Sequence, residues 1–579
     1  MNGWPKRFGV IFVLAMLLLA CGSEPPPATP DPRASERAPE YVGTQAPMAS
    51  KPVYFVVTDR FVNGDPGNDQ REQGGANPTW DLPLRTADGT LALGPDGIGD
   101  HLGYLGGDFK GVIDNAAYIR EMGFGAVWIT PIVDNPDEAF TGGETPTRTS
   151  FLTDRGKSGY HGYWGVNFWQ LDEHLPSEGL DFAAFTGRMR EAGLDVVLDV
   201  VANHGSPAYD MPVAQPKFGQ IFDRDGKLIA DHGNLPPEKL DPAGNPLHAF
   251  YRSERDLAQL ADLDWENPAV LDYLVGSTLH WIGQGASALR LDTMKHVPFS
   301  FWKQYTDRIR AVHPDLFMFG EVFVPEDDPD PAATLAQFTR AENGGVSVLD
   351  FPLMRAMGKV FGREAAGYES LVEWLKLDGG PYANAYELMT FYDNHDVRRL
   401  DARDEGFIDA HNFLFTARGT PVVYYGSEVG FMRGLAEHQG NRNYFGQPRV
   451  DAARGHPIRE ALSRIGAVRA ATPALQRGLQ VNLEFAGDRA AFYRVLQHEG
   501  TAQIALVLLN KADTAAAFSI GEALQPGRWV PQLGGEPQDV GEGGRIEASV
   551  PPHGVQVFVL DAPVTLPALR ERLKAPRPV

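Results

Sequence analysis

Ser287-Ala288-Leu289-Arg290-Leu291-Asp292 is a run of small and apolar residues, broken by one arginine and closed by a carboxylate. The design returns in Leu316-Phe317-Met318-Phe319-Gly320-Glu321, and again in Phe391-Tyr392-Asp393-Asn394-His395-Asp396. Short apolar runs suit strands buried on both faces, as parallel strands are when helices cover them. Outward from these, the expected strands are Val53–Phe61, Ala126–Ile132, Asp195–Val201, Ser287–Thr293, Leu316–Val322, Val346–Phe351, Glu387–Tyr392 and Pro421–Gly426, with helix-patterned segments between them. Eight strands interleaved with helices predict an α/β fold closed as a (β/α)8 barrel, the TIM barrel, with its active site at the C-terminal strand ends. Asp292, Glu321 and Asp396 all fall at such ends.

Cutting a glycosidic bond needs one carboxylate to attack or stabilise the sugar carbon and a second carboxyl to protonate the leaving oxygen. One acid after an apolar run is ordinarily a solvated strand end. Three in order, with Arg290 two residues before Asp292 and His395 beside Asp396, form a constellation. These segments resemble the α-amylase superfamily of glycoside hydrolases. Asp199-Val200-Val201-Ala202-Asn203-His204 and Leu260-Ala261-Asp262-Leu263-Asp264 match two further family segments, and the likeness runs from about Val53 to about Val559.

The resemblance implies a nucleophile at Asp292, a general acid at Glu321 and a third carboxylate, Asp396, that holds sugar hydroxyls. Arg290 would keep Asp292 ionised; a structural ion pair on the barrel rim is the other reading of it, and both can hold. His204 and His395 match family histidines that hydrogen-bond the sugar. In Tyr160-His161-Gly162-Tyr163-Trp164, Tyr163 would stack on the sugar and His161 contact it. Lys295 matches a family position on the leaving-group side, Phe323 an aromatic that cyclodextrin glucanotransferases use at the acceptor subsites, and Arg442 completes the expected substrate-binding set.

The resemblance also implies calcium at one or two sites. Asn203, Asp262 and the carbonyl of His296 match a site between barrel and inserted domain, where oxygen ligands from distant segments suit Ca²⁺. Asn63, Asp65, Asn68 and Asp69, with Gly106 and Asp108, match a second site known from cyclodextrin glucanotransferases. Their spacing does not fit an EF-hand.

The chain has 579 residues, 43% hydrophobic and 22% charged, with a net charge of −23. That acidity argues against nucleic acid as a partner; a neutral polysaccharide is indifferent to it. Lys6 and Arg7 precede an apolar stretch from Phe8 to Ala20, and Leu18-Leu19-Ala20-Cys21-Gly22 resembles a bacterial lipobox. Residues 1–20 are therefore expected to be a signal peptide, with Cys21, the sole cysteine, lipidated. The expected location is the bacterial cell envelope, on the outer membrane where the source has one. Residues 21–48 read as a Pro-rich disordered tether. The expected layout continues with the barrel at 49–202 and 267–475, a small domain inserted after the third strand at 203–266, an antiparallel β-sandwich at 476–562, and a loosely ordered tail at 563–579.

Together these readings predict a monomeric, retaining α-amylase-type hydrolase acting on α-1,4-glucosidic bonds of starch and maltooligosaccharides. A cyclodextrin-forming transglycosylase is the alternative on the same scaffold, and a catalytically dead glycan-binding protein a more distant one. Transferases of that kind carry a Tyr or Phe four residues before the metal-binding Asp of Leu-Ala-Asp-Leu, and here that position is Ala258.

Overall fold

Val53-Tyr54-Phe55-Val56 forms the first barrel strand (β1), and all four side chains are buried. The computed structural model describes residues 39–377 and 380–574. From Glu40 onward the chain is one compact unit. Seven more strands complete the parallel sheet: Ala126–Ile129 (β2), Asp195–Val200 (β3), Ala288–Leu291 (β4), Phe317–Gly320 (β5), Ser347–Val348 (β6), Met389–Thr390 (β7) and Thr420–Tyr424 (β8). They run β6-β5-β4-β3-β2-β1-β8-β7 across the sheet, and a parallel bridge from Leu349 to Met389 closes the ring. All eight expected strands are present, each shorter than its apolar run. The run from Val53 to Phe61 divides: after Val56 the chain turns into the short helix Thr58–Phe61.

Inside the ring, Phe55 stacks on Trp128 at 3.8 Å, and Trp128 meets Phe319 edge-on at 5.5 Å. Burial of each such ring contributes about 2–3 kcal/mol. The flanking helices begin where short acids and amides cap them: Asn267 accepts from the Ala269 amide, Asp181 from Ala184, and Asp350 from Leu353.

Two excursions leave the C-terminal side of the barrel. The segment after β3 starts with His204–Pro207 and returns through Leu260–Asp262, which pair antiparallel, with a hairpin of Gln220–Phe222 and Leu228–Asp231 between them. The segment after β1 makes isolated bridges Trp80–Tyr104 and Pro83–His101 over a small core of Leu84, Ala92 and Leu102.

Beyond the barrel, a six-stranded sheet led by Leu479–Ala486, Arg489–His498 and Thr501–Asn510 faces a two-stranded sheet of Ala516–Ile520 and Ile546–Val550. Buried Arg494 joins this sandwich to the barrel by donating to the carbonyls of Thr416 (2.7 Å) and Ala417 (2.6 Å), the open end of helix Asp404–Thr416. His553 makes a second joint, its Nδ1 2.8 Å from Asp409 of that helix and its Nε2 2.9 Å from Asp513.

Two expectations need correction. The ordered body starts by Tyr41, not at residue 49: Tyr41 exchanges backbone hydrogen bonds with Gln497 at 2.9 and 2.8 Å, and Met48 is buried. Nor is the tail loose as far as residue 574, where the described residues end. Val564, Leu569 and Leu573 bury themselves in the sandwich core, the last two on or beside helix Pro567–Arg572. A few apolar anchors outweigh a polar, Pro-rich composition in both places. The signal segment, Cys21 and the tether up to residue 38 lie outside the described residues. Among those described, no helix is long and apolar enough to cross a membrane.

Candidate active site

Parallel pairing places Arg290 on β4 level with Asp199 on β3 and Phe319 on β5. Since side chains alternate along a strand, Arg290 and Asp292 share one face. The buried Arg290 guanidinium gathers three carboxylates: Asp199 at 2.9 Å, Asp292 at 2.5 Å and Glu321 at 2.9 Å. Glu321 meets it as a charge pair, off the hydrogen-bond direction. Thr293 donates to the second oxygen of Asp292 at 3.1 Å.

Burial holds the Glu321 carboxyl well above its ordinary range; Arg290 opposes this, and the negative charges of Asp396, Asp292 and Asp199 add to it. A proton on Glu321 near neutrality is what a general acid requires. Asp199 is pushed up to about 7, by burial first, against the pull of Arg290. It also accepts from Tyr163 Oη at 2.8 Å and Trp128 Nε1 at 3.0 Å.

Asp396 follows β7. One of its oxygens takes Arg442 at 2.7 Å, and the other lies 3.2 Å from His395 Nε2. His395 also meets Tyr163 Oη at 2.9 Å. Burial drives His161, His204 and His395 all downward, so each presents a neutral imidazole. Such rings can donate to or accept from a neutral sugar.

Arg290, Asp199 and Trp128 apart, these groups line one open cavity of about 490 Å³, as do Lys295, Phe323 and Ala258. The expected catalytic and substrate-binding residues are therefore brought together, although Arg290 lies beneath the floor. Phe323 and Phe151 stand exposed at the rim (40% and 62%), suited to the apolar face of a pyranose. Ala258 adopts a left-handed conformation with φ 45°. Sequence reasoning missed Asp154, Lys157, Glu437 and Phe151. Phe151, Asp154 and Lys157 sit on a loop and Glu437 opens the one-turn 3-10 helix Glu437–Gln439, where no periodic pattern marks them.

Asn203 and Asp262 meet where the excursion after β3 leaves and returns. Each keeps one buried side-chain oxygen without a partner. Asp256, not foreseen from sequence, sends its amide to Asp262 at 3.1 Å and lies 3.0 Å from the His296 ring. Burial, then the charge of Asp256, pushes Asp262 up to about 7. Orphaned buried oxygens beside clustered carboxylates fit a hard divalent cation.

The second expected set also converges. Asp108 accepts from the amides of Gly64, Asp65 and Gly111 at 3.1, 2.8 and 2.6 Å. Asn63 donates to Asp69 at 2.6 Å, and the amide oxygens of Asn63 and Asn68 are buried without partners. Gly106, at φ 87°, leaves a cradle: a Cβ there would come within 2.3 Å of Asn63 and 2.4 Å of Asp69. Asp65 turns aside to accept from Gly67 at 2.9 Å, and Arg71 occupies the other oxygen of Asp69 at 2.6 Å. Asp134, Asp137 and Glu173 cluster as well. There Lys217 already supplies a cation, 3.1 Å from both aspartates.

Residues 55–463 match the family described as "Alpha amylase, catalytic domain". The chain belongs to the α-amylase family. Within that family it is 28% identical over 537 residues to a cyclomaltodextrin glucanotransferase of Geobacillus stearothermophilus, covering 90% of this chain and 69% of the relative. It spans between 37% and 70% of the length of such curated relatives. Among solved structures, CldA, described as a cyclomaltodextrin glucanotransferase with a three-domain ABC distribution, superposes with a TM-score of 0.68 at 29% identity, covering 88% of this chain and 99% of CldA. An Anoxybacillus α-amylase superposes with a TM-score of 0.65 at 26% identity, covering 90% and 99%. These α-amylase family relatives carry the names of both a transferase and a hydrolase.

Proposed function

We propose that this protein is a retaining hydrolase of α-1,4-glucosidic bonds in starch and maltooligosaccharides. The observation that carries the reading is Arg290 bridging Asp292 and Glu321, at 2.5 and 2.9 Å. One guanidinium spanning two carboxyls makes them near neighbours, as retention with its carboxyl separation of ~5–5.5 Å requires. Asp292 attacks the anomeric carbon while Glu321 gives its proton to the departing oxygen. Glu321 then takes a proton from the water that releases the sugar. Asp396, His204 and His395 hold the ring.

Hydrolysis over transfer is supported by Ala258. It lines the cleft with a methyl group, where a ring would give a glucan chain a surface to wrap on and would exclude water from the acceptor side. Transfer is the second reading, favoured by the exposed Phe323 at the acceptor side. Early products from soluble starch separate the two. Linear maltooligosaccharides, with cyclodextrins at most a trace, are expected; dominant cyclic products would overturn hydrolysis.

Calcium is proposed at Asn203, Asp262 and Asp256 with the His296 carbonyl, and at Asn63, Asn68, Asp69, Asp108 and Gly106. Bound there, it would clamp each excursion to the barrel. Export and lipid anchoring through Cys21 are proposed from the basic, apolar and Leu-Leu-Ala-Cys pattern of residues 6–21.

A further inference from the structure

Five charged side chains of alternating sign run along the cleft, and all five line the same cavity. Asp154 pairs with Lys157 at 2.9 Å, Lys157 with Glu437 at 3.1 Å, Glu437 with Arg442 at 3.1 Å, and Arg442 with Asp396 at 2.7 Å. Lys157 and Glu437 are 280 residues apart, so the fold and not chain proximity sets them together.

Each interior member is shared. Lys157, only 4% exposed, holds two carboxylates, and Glu437 holds two cations. Arg442 holds two carboxylates and also donates from Nε to the His395 carbonyl at 3.1 Å, fixing the backbone just before Asp396. Burial would raise Glu437, yet Arg442 and Lys157 together keep it well below the usual carboxylate range. The loop beneath Glu437 is braced from behind by the excursion after β1. His438 lies 3.2 Å from Asp100, and Asn443 donates to the Gly99 carbonyl at 3.0 Å.

We propose that Lys157 and Glu437 are positioning residues for Asp396, acting through Arg442. This rests on the reading of Asp396 as a carboxylate that engages the sugar. Divided between two acids, Arg442 steadies Asp396 without monopolising it, and the Asp396 side chain stays 27% exposed to receive hydroxyls. If Glu437 is neutralised, Arg442 closes on Asp396 and competes with the sugar. If Lys157 is neutralised, Glu437 draws Arg442 toward itself and the hold on Asp396 slackens. Both faults act most on the distorted sugar of the transition state, so kcat suffers more than KM.

The test compares wild type, Glu437→Gln, Lys157→Met, the double variant and Lys157→Arg on a maltooligosaccharide of defined length, with thermal unfolding alongside. Each neutralising change should lower kcat about tenfold or more with KM shifted less than about threefold. The double variant should be no worse than the worse single, because the two residues act as one chain. Lys157→Arg should recover most of the rate. A folded Lys157→Met with unchanged kcat, or two losses that multiply independently, would overturn the proposal. A crystal structure of Glu437→Gln decides it without catalysis. Arg442 should shift onto Asp396, and an unmoved pair would refute the mechanism even if wild type proved inactive on α-1,4-glucans, an outcome that would count against the functional reading alone.

Discussion

Arg290 and Asp199 form an ion pair of 2.9 Å whose two side chains are wholly shielded from solvent. The pair ties β3 to β4 directly beneath the reacting carboxylates. Charges so deep are held because they satisfy one another, and although Arg290 also meets Asp292 and Glu321, removing Asp199 takes away its one wholly buried carboxylate partner. Asp199→Asn should therefore destabilise the fold by on the order of 3 kcal/mol. Denaturant unfolding measures it; an unchanged midpoint would show that Asp292 and Glu321 suffice to compensate Arg290.

Asp292→Asn and Glu321→Gln should each lower kcat on starch by at least about a thousandfold while circular dichroism shows the fold retained. Each removes a reacting group from an otherwise unaltered strand end. Near-normal cleavage by either variant would make the assigned roles wrong.

The basic limb of the pH–rate profile should report Glu321. Its carboxyl is raised, chiefly by burial, so the acid form persists beyond the ordinary Glu range near ~4.3 and activity falls as pH climbs through the raised value. Neutralising Asp396, whose charge helps raise it, should move that limb to lower pH. A limb that stays put in Asp396→Asn would assign it to another group.

Chelation should lower the melting temperature, because a cation bound only by the native state stabilises it by mass action. The loss should reverse with added Ca²⁺. Asp262→Asn and Asp256→Asn should weaken the response, and a melting temperature indifferent to verified metal removal would refute both metal proposals.

Cys21→Ser should abolish membrane association, leaving a soluble protein or an uncleaved precursor. Mass spectrometry of the wild-type N-terminus decides the matter. A mature protein without lipid would sink the anchor proposal.

The barrel was legible because strands buried on both faces must be apolar throughout. The three carboxylates were legible because they follow such runs. Where the runs were read too long, as from Val53 to Phe61, composition could not reveal the turn after Val56 into a helix. Asp256, Lys157 and Glu437 escaped notice for a different reason. Each gains its meaning from a partner on another loop, and nothing local distinguishes it from a solvated charge. Tyr41 and Leu569 show the same limit at the chain ends, where one well-placed apolar side chain orders a polar segment.

His553, wedged between Asp409 and Asp513, makes the grip of the C-terminal domain a function of ambient alkalinity. The hydrogen bond to Asp409 leads in raising its imidazole, with Asp513 adding to it against partial burial, to about 9 from an ordinary 6.5. The sign follows from that upward shift. The latch contributes fully below about 6.5 and is lost as pH climbs through about 9, because the folded state must then surrender a proton it had favoured. Near neutrality the sandwich is bolted to the barrel; in alkaline surroundings the bolt is withdrawn while Arg494 still holds the carbonyls of Thr416 and Ala417. Hydrogen exchange in helix Asp404–Thr416 should thus quicken, beyond its intrinsic pH dependence, between pH 7 and 9.5 in wild type and lose that extra step in His553→Gln.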